Sequence, residues 1–317
     1  VFESMGRIYI QRNGADAQRL TRDSQSAHEF SPAFSPDGKD VYFISWSDAQ
    51  LGSIRKVSAR GGRSKPVLTT PGHYVDLSVS ADGQTLLFAK LSGSALTNPY
   101  WGKKPGLYTY DLNDEQLAFA SPRGRSPHFG PDGRIYATER VSSAVGRGSD
   151  DASSALISMT TDGEDVRTHA SSPLATVIRI SPTGAHVVYR EAGRLYLAAL
   201  PMTGRTIALS SVDTIASGPT AFVTERISAP GGEFVQWSRD GASLTWSVGP
   251  RFMRYTIDDS LGTATNSPRQ LDALRLRVEP DRHAVLVAFI IARVLPMNET
   301  PHTLECRHVV AQGTPFE

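Results

Sequence analysis

The sequence has one cysteine, Cys306, among 317 residues, and its net charge is only +1. A single cysteine excludes an internal disulfide framework and any metal site built from cysteines alone. The balanced charge, without a segment dense in lysine or arginine, gives no electrostatic basis for binding nucleic acid. No apolar run reaches the ~20 residues that a membrane-spanning helix needs. The run Ala284–Ile291 is therefore expected to be a buried strand, and we predict neither a nucleic-acid partner nor a membrane span.

Several well-known catalytic motifs are also missing. The eight histidines are scattered, without the His-X-His or His-Glu-X-X-His spacing that sets the coordination geometry of metal hydrolases. The sequence has neither a Gly-X-Ser-X-Gly nucleophile elbow nor a glycine loop that would cradle a phosphate. We therefore assign no catalytic residue, no metal ligand and no cofactor. Pairs of carboxylates remain open as acid–base groups, because they need not be close in sequence.

What the sequence does contain is a short phrase that recurs five times, at intervals of 45 to 57 residues. The copies begin at Ser35, Ser80, Gly130, Ser181 and Ser238, and they read Ser-Pro-Asp-Gly or a near variant. Proline presets φ, aspartate bonds its neighbouring backbone and glycine tolerates positive φ, so the phrase predicts a turn between two strands. A repeat of this length predicts a stacked or radial architecture.

Each copy predicts several strands in addition to the turn. A short apolar strand precedes the phrase, an alternating strand follows it, and a third strand comes next. The third strands are expected at 53–57, 106–110, 155–159, 194–197 and 252–255, and fourth strands at 66–69, 166–169 and 206–209. Four antiparallel strands per repeat are typical of one blade of a β-propeller.

The N-terminus carries one further, incomplete copy, formed by Val1–Glu3, Gly6–Ile10 and Gln18–Thr21. The expected fold class is therefore all-β: a six-bladed β-propeller of four-stranded antiparallel blades, with the first blade incomplete at the N-terminus. An unclosed ring would leave exposed strand edges. We expect the missing inner strand to come from a segment after Asp259 or from chain upstream of Val1.

The repeats resemble those of the TolB-type β-propeller family, which read roughly Pro-X-Trp/Phe-Ser-Pro-Asp-Gly-X-X-Ile-X-Phe. The stretches Phe30–Phe43 and Phe234–Trp246 match this pattern, whereas Thr183 replaces the aspartate in the fourth full copy. The resemblance covers residues 1–259 and implies the fold. It does not imply one activity, because such propellers occur alone, in Tol–Pal systems and in front of hydrolase domains.

A narrower resemblance concerns Val1–Thr21, Phe43–Trp46 and Val235–Gly249. These stretches look like the propeller that precedes the catalytic domain of large bacterial metal-dependent amidohydrolases. This likeness implies that Val285–Val294 opens a small β-domain beside a catalytic barrel that lies outside this sequence. Residues 297–317 do not continue that pattern. We expect a TolB-like propeller at 1–259, and at 260–317 its closure followed by the start of a truncated or partly disordered second segment.

Two long insertions are expected between the second and third strands of their blades, at Leu91–Pro105 and Val141–Ala155. Long loops on a rigid scaffold are frequent sites of function, so the face carrying them is the favoured one. The first insertion contains Trp101 beside two lysines, which suits a ligand or partner contact, or packing on the blade edge. The second contains Asp150 and Asp151, which are either a cation site or merely solvated.

The starts of the inner strands are expected to line the mouth of a central channel on that face. They mix acidic, basic and aromatic groups: His28-Glu29, His73-Tyr74, Arg123, Arg125, Thr176 and Glu233. Any one of them alone is compatible with simple solvation. Our candidate ligand- or partner-binding residues are His28, Tyr74, Trp101, Arg125 and Glu233.

Two functions follow from these observations. The first is a non-catalytic propeller that binds a protein or peptide, or controls substrate access, attached to a metal-dependent amidohydrolase and located in the periplasm or outside the cell. A single cysteine is also compatible with the cytoplasm. The second is a stand-alone propeller enzyme, a glycan lyase or hydrolase, with its site at the channel mouth. The first predicts no turnover by this chain and an apolar patch near residues 284–295, the second a metal or carboxylate cluster on the axis.

Overall fold

The structure is a computed structural model, and it describes residues 1–12, 15–22, 27–92, 104–142, 152–201, 204–209, 224–228, 231–257 and 269–273. All regular secondary structure in these ranges is β-strand, which confirms the all-β expectation. Within them, no helix has the length and apolarity that crossing a membrane would require. The candidate residues Trp101, Asp150 and Asp151, and the apolar run at 284–295, lie outside the described ranges.

The described strands form five sheets. The first has three strands in the order β1 (Phe2–Ser4), β2 (Arg7–Ile10) and β3 (Gln18–Arg19). The second has seven, which follow chain order: β4 (His28–Phe34), β5 (Asp40–Ser47), β6 (Leu51–Ser58), β7 (Lys65–Val79), β8 (Thr85–Leu91), β9 (Gly106–Asp111) and β10 (Leu117–Ser121). The long β7 ends one four-strand repeat and begins the next, so both repeats share one sheet.

The remaining three sheets each correspond to one repeat. The third contains β11 (Arg125–Phe129), β12 (Ile135–Ser142), β13 (Ala152–Met159), β14 (Arg167–Ser172) and, at its edge, β18 (Ile207–Ala208). The fourth contains β15 (Ala175–Ile180), β16 (His186–Glu191), β17 (Arg194–Ala199) and β19 (Thr224–Arg226). The fifth contains β20 (Glu233–Trp237), β21 (Ser243–Val248), β22 (Arg251–Thr256) and β23 (Arg269–Ala273).

One strand expectation is wrong. Residues 206–209 were expected to be the fourth strand of their own repeat, but β18 pairs in parallel with β14 of the preceding sheet. The fourth position beside β17 is taken by β19, which lies further along the chain. The local pattern that predicts a strand is correct, but which edge the strand pairs with depends on tertiary packing.

The turn phrase adopts the predicted hairpin. In the first copy the N–H of Gly38 donates to the carbonyl of Ser35 at 2.9 Å, and Gly38 has a φ of 70°. The Ser35 hydroxyl donates to Asp37 at 2.7 Å and accepts from the N–H of Asp40 at 3.0 Å. The copies at Ser80, Ser181 and Ser238 show the same glycine-to-first-residue bond and the same acceptance by the serine hydroxyl.

The copy that begins at Gly130 is shorter by one residue, as its sequence indicates. Its first N–H bonds to the carbonyl of Arg134, four residues on, whereas that of Ser35 bonds to Asp40, five residues on. Gly130, at the first position of this copy, lacks the serine hydroxyl of the other copies. The hairpin therefore forms from backbone bonds, with Asp132 accepting from the N–H of Arg134 at 3.2 Å.

The described residues divide into two compact units, 1–71 and 72–273, with the boundary inside β7. The first unit has a core of Ile8, Ile10, Leu20, Val41, Phe43 and Val57. The second has cores between successive sheets, since each cluster draws side chains from two neighbouring repeats. One such cluster joins Leu195 and Leu197 of β17 to Leu244 and Trp246 of β21. Burial between faces of consecutive sheets provides most of the stabilisation.

Candidate functional site

The first strand of each repeat, here called the inner strand, carries a bulge at a matching position. The inner strands are β4, β7 from Gly72 onward, β11, β15 and β20, and each shifts register against the next strand near its start. Four residues at these bulges have positive φ: Ser31 at 50°, Asp76 at 56°, Ser126 at 51° and Phe234 at 55°. Bulges of this kind re-aim side chains and are frequent beside functional sites.

In the second unit, side chains connect neighbouring inner strands. The N–H of Ser126 in β11 donates to Asp76 Oδ2 of β7 at 3.2 Å. The N–H of Ile180 in β15 donates to His128 Nε2 of β11 at 3.1 Å. Neighbouring inner strands are thus joined by side chain–backbone bonds, which fixes the spacing of the bulges.

Hydrogen bonds from side chains of β12 and β20 also bind the backbone of β15. The Thr138 hydroxyl of β12 accepts from the N–H of Ile178 at 2.9 Å and donates to the Ile178 carbonyl at 3.0 Å. On the other side, Trp237 Nε1 of β20 donates to the carbonyl of Arg179 at 3.5 Å. The backbone of β15 is therefore rigidly placed among its neighbours.

His128 is a structural bridge in this arrangement. Its side chain is buried, its Nε2 accepts from Ile180, and its Nδ1 faces the carbonyl of Ser126 at 3.2 Å. Burial, with a smaller contribution from the nearby Arg179 charge, lowers the pKa of His128 to about 3. The imidazole is therefore neutral at neutral pH, with its proton on Nδ1.

Arg125 and Glu233 begin β11 and β20, as the sequence predicted for inner-strand starts. Arg125 is exposed, and its guanidinium has no hydrogen bond or ion pair within the described part of the chain. Glu233 keeps 47% of its side chain exposed and forms an ion pair with Arg190 Nη2 of β16. Of the two, Arg125 keeps its charge uncompensated.

Tyr74 occupies a different environment from the one expected of a ligand contact. Its side chain is fully buried, and its ring meets Phe88 edge to face with centroids 5.0 Å apart. Burial raises the pKa of Tyr74 to about 12. A ligand at the surface would not reach this ring, whereas its neighbour His73 is exposed. We exclude Tyr74 from the contact residues proposed below.

His28 begins β4 in the first unit, where it is exposed. The ring lies against Gly6, since a Cβ added at Gly6 would fall 2.7 Å from His28 Nδ1. The adjacent Glu29 is buried, and its Oε2 accepts from the Ile8 N–H at 3.2 Å and the Thr21 hydroxyl at 2.6 Å. Glu29 therefore links β4 to Ile8 of β2 and to Thr21. Of the two neighbours, only His28 has an exposed side chain.

Phe234 is the functional candidate that the sequence did not reveal. Its side chain is 83% exposed and its backbone has a φ of 55°. A bulky residue in this left-handed region is a true outlier, at a cost of ~1–3 kcal/mol. Its place in an apolar run before a turn phrase predicts a buried strand residue. Only the bulge beside Glu233 turns it outward.

The described ranges contain no group of three or more His, Cys, Asp or Glu side chains that could hold a metal ion. At the starts of β11 and β20 the described residues include an exposed aromatic, Phe234, an exposed Arg125 without an ion-pair partner among them, and Glu233 paired with Arg190. This combination suits non-covalent recognition of a partner.

Comparison with known proteins gives similarities of structure alone. No family model matches the chain, and no curated protein matches it. The TolB protein of Acinetobacter baumannii matches with a TM-score of 0.52 at 17% identity, over 81% of this chain and 59% of the other. Hydrazine synthase of Kuenenia stuttgartiensis matches with a TM-score of 0.50 at 13% identity, over 84% and 40%. An oligogalacturonate lyase of Vibrio parahaemolyticus has a TM-score of 0.47 at 14% identity, over 81% and 68%.

The fold is therefore that of a TolB-like β-propeller, which the repeats predicted. The chain spans 59% of the length of that TolB protein. At these identities the likeness concerns architecture, and activity has to be argued from the side chains of this chain.

Proposed function

We propose that this chain is a TolB-like propeller module that binds a protein or peptide at the face where its inner strands begin. The observation that carries the proposal is Phe234. The Phe234 side chain is 83% exposed, so it does not pack in the core, and its backbone at φ 55° lowers the stability of the free protein. Aromatic anchors of this kind are enriched where a partner covers them.

Charged residues also lie at the starts of the inner strands β11 and β20. Arg125 is exposed and uncompensated, while Glu233 is half exposed beside Phe234 and already paired with Arg190. Protein-binding patches usually combine aromatic anchors with polar groups, and these residues supply both types. His28 and Trp101 remain proposed contacts on the sequence argument.

The finer architecture belongs to the same proposal. We take the six sequence repeats as six blades, because the first sheet supplies three strands and the other described strands supply five further repeats. Among the described strands of the first sheet, β1 pairs with β2. The strand predicted to complete that blade would lie beside β1.

The parent protein proposed here is a metal-dependent amidohydrolase located in the periplasm or outside the cell. The support is the likeness of Val1–Thr21, Phe43–Trp46 and Val235–Gly249 to propellers of that class. Sequencing the gene beyond the codon for Glu317, in all three frames, tests it. A frame that soon encodes a His-X-His motif supports the attachment, and a stop without such a motif in any frame overturns it. The stand-alone lyase or hydrolase has no specific observation in its favour among the described side chains.

Binding itself is testable with a peptide library displayed on phage, selected against the full chain. We expect enriched peptides whose affinity falls at least tenfold for Phe234→Ser. The matched control is Phe34→Ser, because Phe34 is also an exposed aromatic, at 42%, and it also precedes a turn phrase. Failure to enrich any peptide, or equal losses in both variants, would overturn the proposed site.

A further inference from the structure

Arg179, in the middle of β15, has a cationic side chain without a counter-charge in contact. The residue as a whole is partly exposed, but its Nε atom is buried and has no hydrogen-bond partner within the described residues. Nor does its guanidinium form an ion pair with any acidic group described in the structure. Arg190, which also has a buried Nε, differs because its Nη2 is paired with Glu233.

The environment of Arg179 disfavours the charged form of its guanidinium. Burial lowers the pKa of Arg179 to about 10, and the negative charge of Asp76 acts in the opposite direction. At neutral pH the guanidinium is therefore still charged, with no direct partner. Desolvating a cation without pairing it is costly, so the site has unused capacity for a hydrogen-bonding anion.

The backbone beneath Arg179 is fixed rather than adaptable. The bond from Trp237 Nε1 engages the Arg179 carbonyl at 3.5 Å, and the bond from the next N–H, that of Ile180, engages His128 at 3.1 Å. The adjoining Ile178 is held twice by Thr138. Because the backbone is already ordered, binding at Arg179 has to order only the side chain, which reduces the entropy lost on binding.

We propose that Arg179 is a binding site for a carboxylate group of a ligand. The planar guanidinium offers two parallel N–H donors that match the two oxygens of a carboxylate. The local charge favours a monoanion, because Asp76 lies near enough to act on Arg179 and would repel a second negative charge. The neighbouring imidazole of His128 is neutral and its nitrogens are already engaged, so it adds no further cation.

This inference goes beyond partner binding, because it specifies the chemistry of the group recognised and requires no protein partner. The two proposals can fail separately. The Phe234 test uses peptides, whereas the test below uses acetate alone as its first probe. A carboxylate can come from an acidic peptide side chain or from a sugar acid, so a second stage compares acetyl-Phe-Asp-amide with glucuronate.

The experiment follows arginine side-chain Nε–Hε signals by NMR in the ¹⁵N-labelled full chain. The Arg179 signal is identified by its disappearance in Arg179→Lys. Sodium acetate is then titrated at constant ionic strength, with sodium chloride and sodium phosphate in parallel. We expect the Arg179 signal to move saturably with acetate, and phosphate and chloride to bind at least fivefold more weakly.

The matched control is Arg205→Gln, which removes an exposed arginine of the same chain and should leave the acetate response unchanged. Saturable binding of either second-stage probe supports the site, and the probe that binds identifies whether an acidic side chain or a sugar acid carries the carboxylate. The inference is overturned if the Arg179 signal does not move with acetate, or if chloride or phosphate binds as tightly. It is also overturned if Arg205→Gln abolishes the response.

Discussion

The imidazole Nε2 of His128 accepts a hydrogen bond of 3.1 Å from the backbone N–H of Ile180, which lies 52 residues further along the chain. The bond links the inner strands of two consecutive repeats without any backbone pairing between them. A histidine used in this way can only be neutral, because a protonated Nε2 would oppose the amide proton. Folding of the second unit is therefore coupled to the protonation of one buried side chain.

The first prediction concerns pH. Folding lowers the pKa of His128 from its ordinary 6.5 to about 3, mainly by burial. Between these values the unfolded chain binds more protons than the folded one. The stability contributed by neutral His128 is therefore complete above pH 6.5 and is lost progressively as the pH falls towards 3, by roughly 5 kcal/mol in all. Urea unfolding measured from pH 7 to pH 4 should show this decline.

The variant His128→Gln separates this effect from general acid sensitivity. It should be less stable at pH 7 by about 1–3 kcal/mol, because a buried amide is a poorer fit for the two backbone partners. Its stability should then fall less steeply with acid than that of the unmodified chain. Parallel declines in both proteins would show that His128 is not the group responsible.

A second prediction concerns Thr138, whose hydroxyl both accepts from and donates to the backbone of Ile178. Thr138→Val keeps the shape but leaves a buried N–H and a buried carbonyl without this partner. We expect a loss of about 2–4 kcal/mol in the free energy of unfolding. The measurement is urea denaturation at pH 7.

Thr138→Ser is the matched control, because it retains the hydroxyl and removes only a methyl group. It should cost about 1 kcal/mol. If the serine variant loses as much stability as the valine variant, packing rather than the link to Ile178 explains the effect.

The third prediction compares two glycines with similar backbone conformations in the same region. Gly163, at φ 87°, lies so close to β10 that an added Cβ would fall 1.7 Å from the carbonyl oxygen of Ala120. Gly133, at φ 73°, has nothing within 4 Å of that position. Gly133→Ala should cost only the left-handed backbone penalty of ~1–2 kcal/mol, while Gly163→Ala should cost at least 3 kcal/mol through backbone displacement.

Thermal unfolding of the two alanine variants checks this comparison. Equal shifts of the melting temperature would mean that the contact between the 160–163 turn and Ala120 is not tight. A larger shift for Gly163→Ala supports the packing of successive sheets in the second unit.

The fourth prediction is that Phe234 lowers the stability of the free protein and increases its affinity for peptides. Phe234→Gly removes the positive-φ penalty, so the variant should be as stable as the unmodified chain or more stable, by up to ~1 kcal/mol. Its affinity for peptides selected on the unmodified chain should nevertheless fall at least tenfold. Urea unfolding and peptide titration on the same samples provide both quantities.

Phe34→Gly is the control for these opposite effects on stability and affinity, because Phe34 is exposed but does not have a positive φ. It should lose stability and keep its peptide affinity. Loss of stability in Phe234→Gly with retained affinity would contradict both parts of the prediction.

The hairpins of this protein could be predicted from sequence because their causes are local. A proline, an aspartate and a glycine within four residues determine the turn at Ser35, and the alternating residues after it determine the strand. The same reasoning correctly placed the third strand of every full repeat. It failed for Ile207–Ala208, because two neighbouring sheet edges compete for a short strand and local residues do not distinguish them.

The candidate site was less predictable, and adjacent residues show why. His28 is exposed beside a buried Glu29, and His73 is exposed beside a buried Tyr74. Successive strand residues face opposite sides, so one position decides between a ligand contact and a core residue. The sequence located the strand ends but did not show which of the two neighbours faces outward.

The repeat by itself determined that this protein is an all-β chain built from successive hairpins, because turn chemistry and strand alternation act within a few residues. Only the tertiary structure decided where the inner strands bulge and which side chains link one repeat to the next. The neutral His128 depends on a hydrogen bond to a residue 52 positions away in the next repeat, the exposure of Phe234 depends on the bulge in β20, and the buried Nε of Arg179 has no partner among the described residues. Such contacts depend on how the sheets pack against one another, which local sequence does not encode.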